Sequence, residues 1–221
     1  MSLVALSHRL TTDGPNWPGC PGLAVQRVHD GTAAGEATTH LLTLFNHYGT
    51  HVDLAGHFLP GGATIDDHPI EDFVFDRPAL LEIVAQESTP LRESDVAGVD
   101  ALPVDTDLLL LRSGFESWRS DTLAYSRRGP GLSVAAAQRI RSRLPRLRAV
   151  GIDWLSACAF ADAANAGAIH EALLTPTNGI SPMIFEDMSL AALTSPPRRV
   201  WALPLLVAGI DGSPCTIVAE L

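Results

Sequence analysis

Three histidines and one aspartate stand at positions 47, 51, 53 and 57 of the stretch Asn46-His47-Tyr48-Gly49-Thr50-His51-Val52-Asp53-Leu54-Ala55-Gly56-His57-Phe58. The chain has 8 histidines, so this is a marked concentration. All four positions are odd. Side chains of an extended strand alternate faces, so the spacing predicts that the four share one face. Imidazole nitrogens and a carboxylate converging on one point suit a borderline-soft divalent cation. The competing reading is a chance cluster on a solvated loop. Against it, Gly49, Gly56 and the apolar flanks read as packed backbone rather than a polar tract.

One short segment rarely closes a coordination sphere, so partners are sought elsewhere. His170 lies in the apolar stretch Ala168-Ile169-His170-Glu171-Ala172-Leu173-Leu174, where a solvated histidine has little reason to be. It is either a ligand or a core histidine satisfied by a backbone carbonyl. The zincin pattern is absent, because position 174 is Leu. Glu186 follows the apolar Met183-Ile184-Phe185 and reads as a loop acid or a ligand. His68, among Asp66, Asp67 and Pro69, reads as a surface residue. No G-x-S-x-G elbow, Walker A loop or dinucleotide fingerprint is present, and Gly129-Pro130-Gly131 reads as a turn.

The elements that must position these residues are read from pattern. Leu23–Val28 and Leu41–Phe45 are strand-like, with Pro60-Gly61-Gly62 as a turn. Pro78–Val84 reads as a buried strand. Leu108 to Leu111, four leucines in a row, predict a strand buried on both faces. Ser133 caps a helix from Val134 to about Leu144, stopped by Pro145. Ala149–Asp153 is a strand ending on an acid, and Ala168–Leu174 one or two helical turns. Val200–Val207 and Cys215–Val218 pair around a turn at Asp211-Gly212-Ser213-Pro214. Trp118 and Trp154 are read as core residues. With no repeat, linker or composition shift, residues 1–221 read as a single α/β domain with more strand than helix.

Composition narrows the function classes. The net charge is −10, and no Lys/Arg patch is available to neutralise phosphates, which argues against nucleic acid as a partner. The basic run Arg139–Arg148 alternates with apolar residues and reads as the solvated face of a helix and its exit loop. The 3 cysteines, Cys20, Cys158 and Cys215, fit neither a disulfide framework nor a zinc knuckle and suggest a reducing compartment. No apolar run reaches the ~18 residues of a membrane span. The first residues lack a signal-peptide pattern. The expected location is cytoplasmic.

The motif His47-x-Gly49-Thr50-His51-x-Asp53-x-x-x-His57-Phe58 resembles the signature of the Putative cyclase family, which includes bacterial kynurenine formamidase (arylformamidase) and isatin hydrolase. Further segments match in order: Trp17-Pro18-Gly19, Pro69-Ile70-Glu71-Asp72-Phe73, Leu111-Arg112-Ser113-Gly114, Gly151-Ile152-Asp153 with Ser156, His170 to Leu174, Glu186 to Leu190, and Asp211 to Pro214. The resemblance implies a strand-rich, barrel-like mixed sheet with few helices, of the swivelling β/β/α type. It also implies two Zn²⁺ ions per chain, with Mn²⁺ the alternative, and a homodimer or higher assembly. By that resemblance His47 and His51 bind the first ion, His170 the second, and Asp53 and Glu186 touch both. His57 is the proton donor and acceptor, and Trp17 lines the substrate pocket. Asp153 and Ser156 are candidates for orienting a metal-bound histidine, or Asp153 is structural. Two departures fall near the pocket: Ala55 stands where the family prefers Pro, and Cys20 where the formamidases often carry an acid.

The function so implied is a metal-dependent amide hydrolase, with N-formylkynurenine or a related aryl formamide as substrate and a place in tryptophan catabolism. Ring-opening hydrolysis of a cyclic amide or lactone is the nearest alternative. A cyclase or dehydratase using the metal as Lewis acid, and a non-catalytic metal-binding protein, are the others. The expected partner is a small aromatic amide.

Overall fold

The computed structural model describes residues 2–221. Its strands are β1 (Leu3–Ala5), β2 (Ala24–His29), β3 (Thr39–Thr43), β4 (His51–Asp53), β5 (Val74–Phe75), β6 (Pro78–Glu82), β7 (Pro90–Leu91), β8 (Leu108–Arg112), β9 (Gly131–Leu132), β10 (Ala149–Ile152), β11 (Met183–Glu186), β12 (Arg199–Pro204) and β13 (Gly212–Glu220). The α-helices are α1 (Thr122–Arg128), α2 (Val134–Arg143) and α3 (Ala166–Leu174), supplemented by short 3-10 turns. One sheet runs in the order β5-β12-β13-β4-β11-β10-β8-β6, with β1 added to β13, and forms a barrel-like mixed α/β core. The strands β11, β10, β8 and β6 are parallel, whereas β4 is antiparallel to both β11 and β13. Strand β4 is therefore the seam where the parallel and antiparallel halves meet.

The four leucines of β8 explain how the sheet is held. Leu109 and Leu111 pack with Ile140, Leu144, Ile169 and Leu173 of the α2 and α3 regions. Leu108 and Leu110 face the other way, among Val52, Phe75, Phe185 and Ile217. All four are fully buried, as expected of a parallel strand covered on both faces. Helix α2 starts where read: the Ser133 hydroxyl accepts from the Ala136 amide at 3.2 Å. Trp154 is fully buried, while Trp118 is partly exposed and stacks on Phe115.

The basic run is not simply a solvated face. Arg139 pairs with Glu93 and Asp100, Arg143 with Asp100, and the Arg148 guanidinium donates to the Asp72 carbonyl at 3.0 Å. Several other expectations need correction. Residues 47–57 are not one strand. Only His51–Asp53 is extended, while His47 precedes a turn through Gly49 at φ 67° and His57 ends a 3-10 turn. The turn placed at 211–214 lies earlier: Gly212 already opens β13, and Pro214 pairs with His51. Strand β6 stops at Glu82, leaving Val84 exposed. Gly131 belongs to the short β9. His68 is buried, with Nδ1 3.1 Å from Asp72, because the turn at 65–73 folds it inward against Phe73.

Directly after β11, Asp187 adopts φ 50°, a left-handed conformation that Asp tolerates better than most residues. Its buried carboxylate accepts from Arg119 at 2.9 Å and from the Tyr125 hydroxyl at 2.8 Å. Arg119→Met removes the charge partner of a buried acid and is expected to cost about 3 kcal/mol in urea unfolding. A loss under about 0.5 kcal/mol, the range of surface substitutions, would show that the pair contributes nothing.

Candidate metal centre

The seam strand sets the centre's first half. His51 and Asp53 are two residues apart, so they project from the same face of β4. Glu186 pairs directly with His51 across the β11–β4 ladder, which places its carboxylate beside the imidazole. Helix α3 covers this face and supplies His170 from its buried side. His47 reaches the same point from the turn ahead of β4. That turn depends on close approach by β13: a Cβ at position 212 would stand 2.5 Å from His47 Cε1, so only glycine lets the strand pass.

The donor atoms converge. Asp53 Oδ1 lies 2.7 Å from His47 Nδ1 and 3.2 Å from His51 Nε2. Asp53 Oδ2 lies 3.6 Å from His170 Nε2. Glu186 spans the pair, with Oε2 3.5 Å from His51 Nε2 and Oε1 3.6 Å from His170 Nε2. Two compact donor groups result, His47-His51-Asp53 and Asp53-His170-Glu186, sharing Asp53. The five residues implied by the family resemblance are thus brought together from β4, β11, α3 and the turn ahead of β4.

The ring nitrogens are also set for coordination. His51 Nδ1 lies 2.7 Å from the Gly49 carbonyl, and His170 Nδ1 2.7 Å from the Ala166 carbonyl. A carbonyl only accepts, so both Nδ1 atoms carry hydrogen and both Nε2 atoms face the carboxylates. His170 therefore has the backbone partner of a core histidine and a ligand's orientation at once. Glu186 is held from behind by the Ser156 hydroxyl at 3.1 Å and the Ala157 amide at 2.6 Å. Ser156 thus steadies a carboxylate, not a histidine. Asp153 does neither: its carboxylate accepts from the Ser113 and Gly114 amides and closes the β8 end.

These residues fit a divalent cation. Asp53 and Glu186 are buried side by side, and each other's charge must be neutralised; among the described residues no Lys or Arg reaches them. In the metal-free chain the histidines take that role. Burial pushes the His51 pKa down, but the Asp53 charge and hydrogen bond, with Glu186, outweigh this and raise it well above its ordinary value. His170 is likewise raised, burial being outweighed by Glu186 and Asp53. Burial pushes Asp53 up, but His51 and His47 hold it well below the usual carboxylate range.

The sign of the pH dependence follows. Raised histidines contribute stability that is full below about 6.5 and lost as pH rises through their folded values. The depressed Asp53 contributes above about 3.9 and is lost as pH falls through its folded value. Metal-free protein is therefore expected to be most stable between about pH 4 and 6.5. A cation must displace these protons, so binding releases protons and tightens with rising pH. Melting curves from pH 5 to 9, with chelator and with zinc, should diverge towards alkaline pH. Parallel curves would contradict this linkage.

His57 stands beside the cluster rather than in it. Its ring stacks on His47 at 4.0 Å between centroids, and its Nδ1 lies 2.8 Å from Asp211 Oδ2. Ala55 begins the 3-10 turn that delivers it, the position where proline is tolerated because the N–H has no partner within the helix. Ala in place of Pro therefore leaves that turn intact.

Above the centre opens a cavity of about 340 Å³. Trp17, Phe45, Phe58, Leu155, Cys158 and Ala166 line its walls, and His47, His51, His57, His170 and Glu186 its floor. Trp17 meets Phe160 edge-on at 5.5 Å, and Phe58 stacks on His170 at 4.2 Å. Phe58, Phe45 and Asp211 had not been singled out from sequence. Phe58 could have been, as the residue following His57 in the motif.

The profile of the Putative cyclase family matches residues 4–157. The chain belongs to this family. An uncharacterized protein of Haemophilus influenzae is 32% identical over 117 residues, covering 52% of this chain and 82% of that one. Isatin hydrolase A from Labrenzia aggregata, bound to benzyl benzoate, superposes with a TM-score of 0.80 at 21% identity, over 99% of this chain and 93% of its own. A protein described as a "predicted metal-dependent hydrolase" from Bacillus stearothermophilus gives 0.76 at 20% identity, over 99% and 97%. This cyclase-family fold is thus shared with metal-dependent hydrolases. No helix among the described residues is long and apolar enough to cross a membrane.

Proposed function

We propose that the chain is a metal-dependent hydrolase that cleaves the amide bond of a small, uncharged aromatic compound. The observation that carries this is a buried His/Asp/Glu cluster forming the floor of an aromatic-walled cavity. In this reading His47, His51 and Asp53 would hold one ion and Asp53, His170 and Glu186 a second. Zinc is the expected metal and manganese the alternative, since both suit histidine and carboxylate donors. Divalent ions in such a site supply Lewis acidity toward a carbonyl and bring the pKa of water near neutrality. Trp17 and Phe58 hold the flat substrate. His57 accepts a proton from the attacking water at Nε2 and returns it to the leaving nitrogen, a task suited to imidazole near neutral pH.

The walls favour one substrate type over another. Among the described residues no Lys or Arg lines the cavity. Arg127 instead stacks over Phe160 and lines a neighbouring groove with Trp17 and Cys20. N-formylkynurenine carries an ammonium and a carboxylate, and the cavity offers the carboxylate no side-chain cation. Uncharged aryl formamides and ring-closed aryl amides match the walls better. The shared fold with isatin hydrolase A supports the ring-closed class.

The test is a panel of formanilide, isatin and N-formylkynurenine on zinc- and manganese-loaded protein. The uncharged pair should have kcat/KM at least about 10-fold above N-formylkynurenine, a difference of about 1.4 kcal/mol. Preference for N-formylkynurenine would remove the neutral-substrate reading. Metal-replete protein inert on all three would count against amide hydrolysis.

A further inference from the structure

The loop entering β13 brings a third carboxylate beside the centre, one that the sequence presents only as a turn residue. We propose that Asp211 is a positioning residue that sets the orientation of both His47 and His57 through a single carboxylate oxygen. This rests on the hydrolase reading for its catalytic meaning, though not for its geometry. Asp211 Oδ2 lies 2.8 Å from His57 Nδ1 and 3.2 Å from His47 Nε2. A carboxylate oxygen only accepts, so the nitrogen facing it on each ring carries hydrogen. His57 Nε2 is then left as the free basic nitrogen, whereas His47 Nδ1, 2.7 Å from Asp53 Oδ1, also carries hydrogen in the metal-free chain and is the nitrogen a cation would take in its place. One acid thereby selects the tautomer of a metal ligand and of the proton shuttle.

Asp211 is itself fixed on several sides. Its Oδ1 accepts from Asn46 Nδ2 at 3.0 Å, and its backbone carbonyl accepts from the Leu54 amide at 2.9 Å. The next residue, Gly212, lies against the His47 ring and allows no side chain there. The carboxylate is thus anchored where it meets both rings. Partners of this kind usually change metal affinity or activity 10–100-fold when removed.

The same three side chains are close enough to enclose a cation themselves, and the experiment separates that possibility. Ring-nitrogen signals of ¹⁵N-histidine-labelled, zinc-loaded protein distinguish protonated, bare and metal-bound nitrogens. In the natural chain His57 should show a protonated Nδ1 and bare Nε2, and His47 a protonated Nε2. Asp211→Ala should scramble both patterns and weaken zinc binding about 10–100-fold. At saturating zinc it should lower kcat about 10–100-fold with KM nearly unchanged. Asp211→Asn, which keeps the shape and one acceptor oxygen without the charge, should fall between the two and serves if the alanine variant does not fold. Unchanged ring signals and zinc affinity in a folded variant would overturn the proposal. So would a zinc-bound His57 Nδ1 in the natural chain. The spectra and zinc titration need no substrate, so failure of the hydrolase reading leaves this test intact.

Discussion

Asp53→Asn is expected to empty the centre and reduce turnover by at least about 10³-fold, some 4 kcal/mol of transition-state stabilisation. Asp53 is the one residue shared by both donor groups, with Oδ1 facing His47 and His51 and Oδ2 facing His170. Asparagine is nearly isosteric, so the fold should persist while a negative charge and one acceptor oxygen disappear. Elemental analysis should show metal content well below that of the natural chain. The variant should also flatten the alkaline stability loss of the metal-free form, because the first of the charges raising His51 is gone. Full metal content with normal turnover would remove Asp53 from the centre.

His57→Ala is expected to do the opposite to metal and the same to activity. His57 lies outside the two donor groups that share Asp53, so metal content should remain. Its loss removes general acid–base catalysis, typically worth about 10²- to 10⁴-fold in kcat. The discriminating measurement is metal content and kcat on the same preparation. A variant that loses metal and activity in proportion would make His57 a ligand instead of a proton shuttle. Comparing it with Asp211→Ala is informative, since a positioning residue should cost less than the group it positions.

Much of the fold was legible because local pattern and burial agree. Leu108–Leu111 read as a strand covered on both faces, and they form one. Ser133 and Pro145 bracket α2 because a cap and a missing N–H act locally. His51 and Asp53 were correctly placed on one face, since strand alternation is a property of three consecutive residues. Alternation failed for His47 and His57 for the same reason: it ends where the strand ends. Gly49 turns the chain before β4 and the 3-10 turn at 55–57 bends it afterwards. His47 still joins His51 and Asp53, and His57 still comes to lie beside them, through two turns and not through one strand.

By itself, the sequence determined the residue types, the family motif and the short-range geometry of β4, α2 and α3. The tertiary structure alone decided what those residues meet. His68 turned inward and Glu186 became a buried partner of His51, because strand pairing, not hydropathy, sets which acid faces which base. Asp211 reads as a turn acid until β13 pairs with β4 and carries it to two imidazoles. Such contacts span more than 150 positions between Asp211 and His57. They depend on sheet order and register, which only the folded chain specifies.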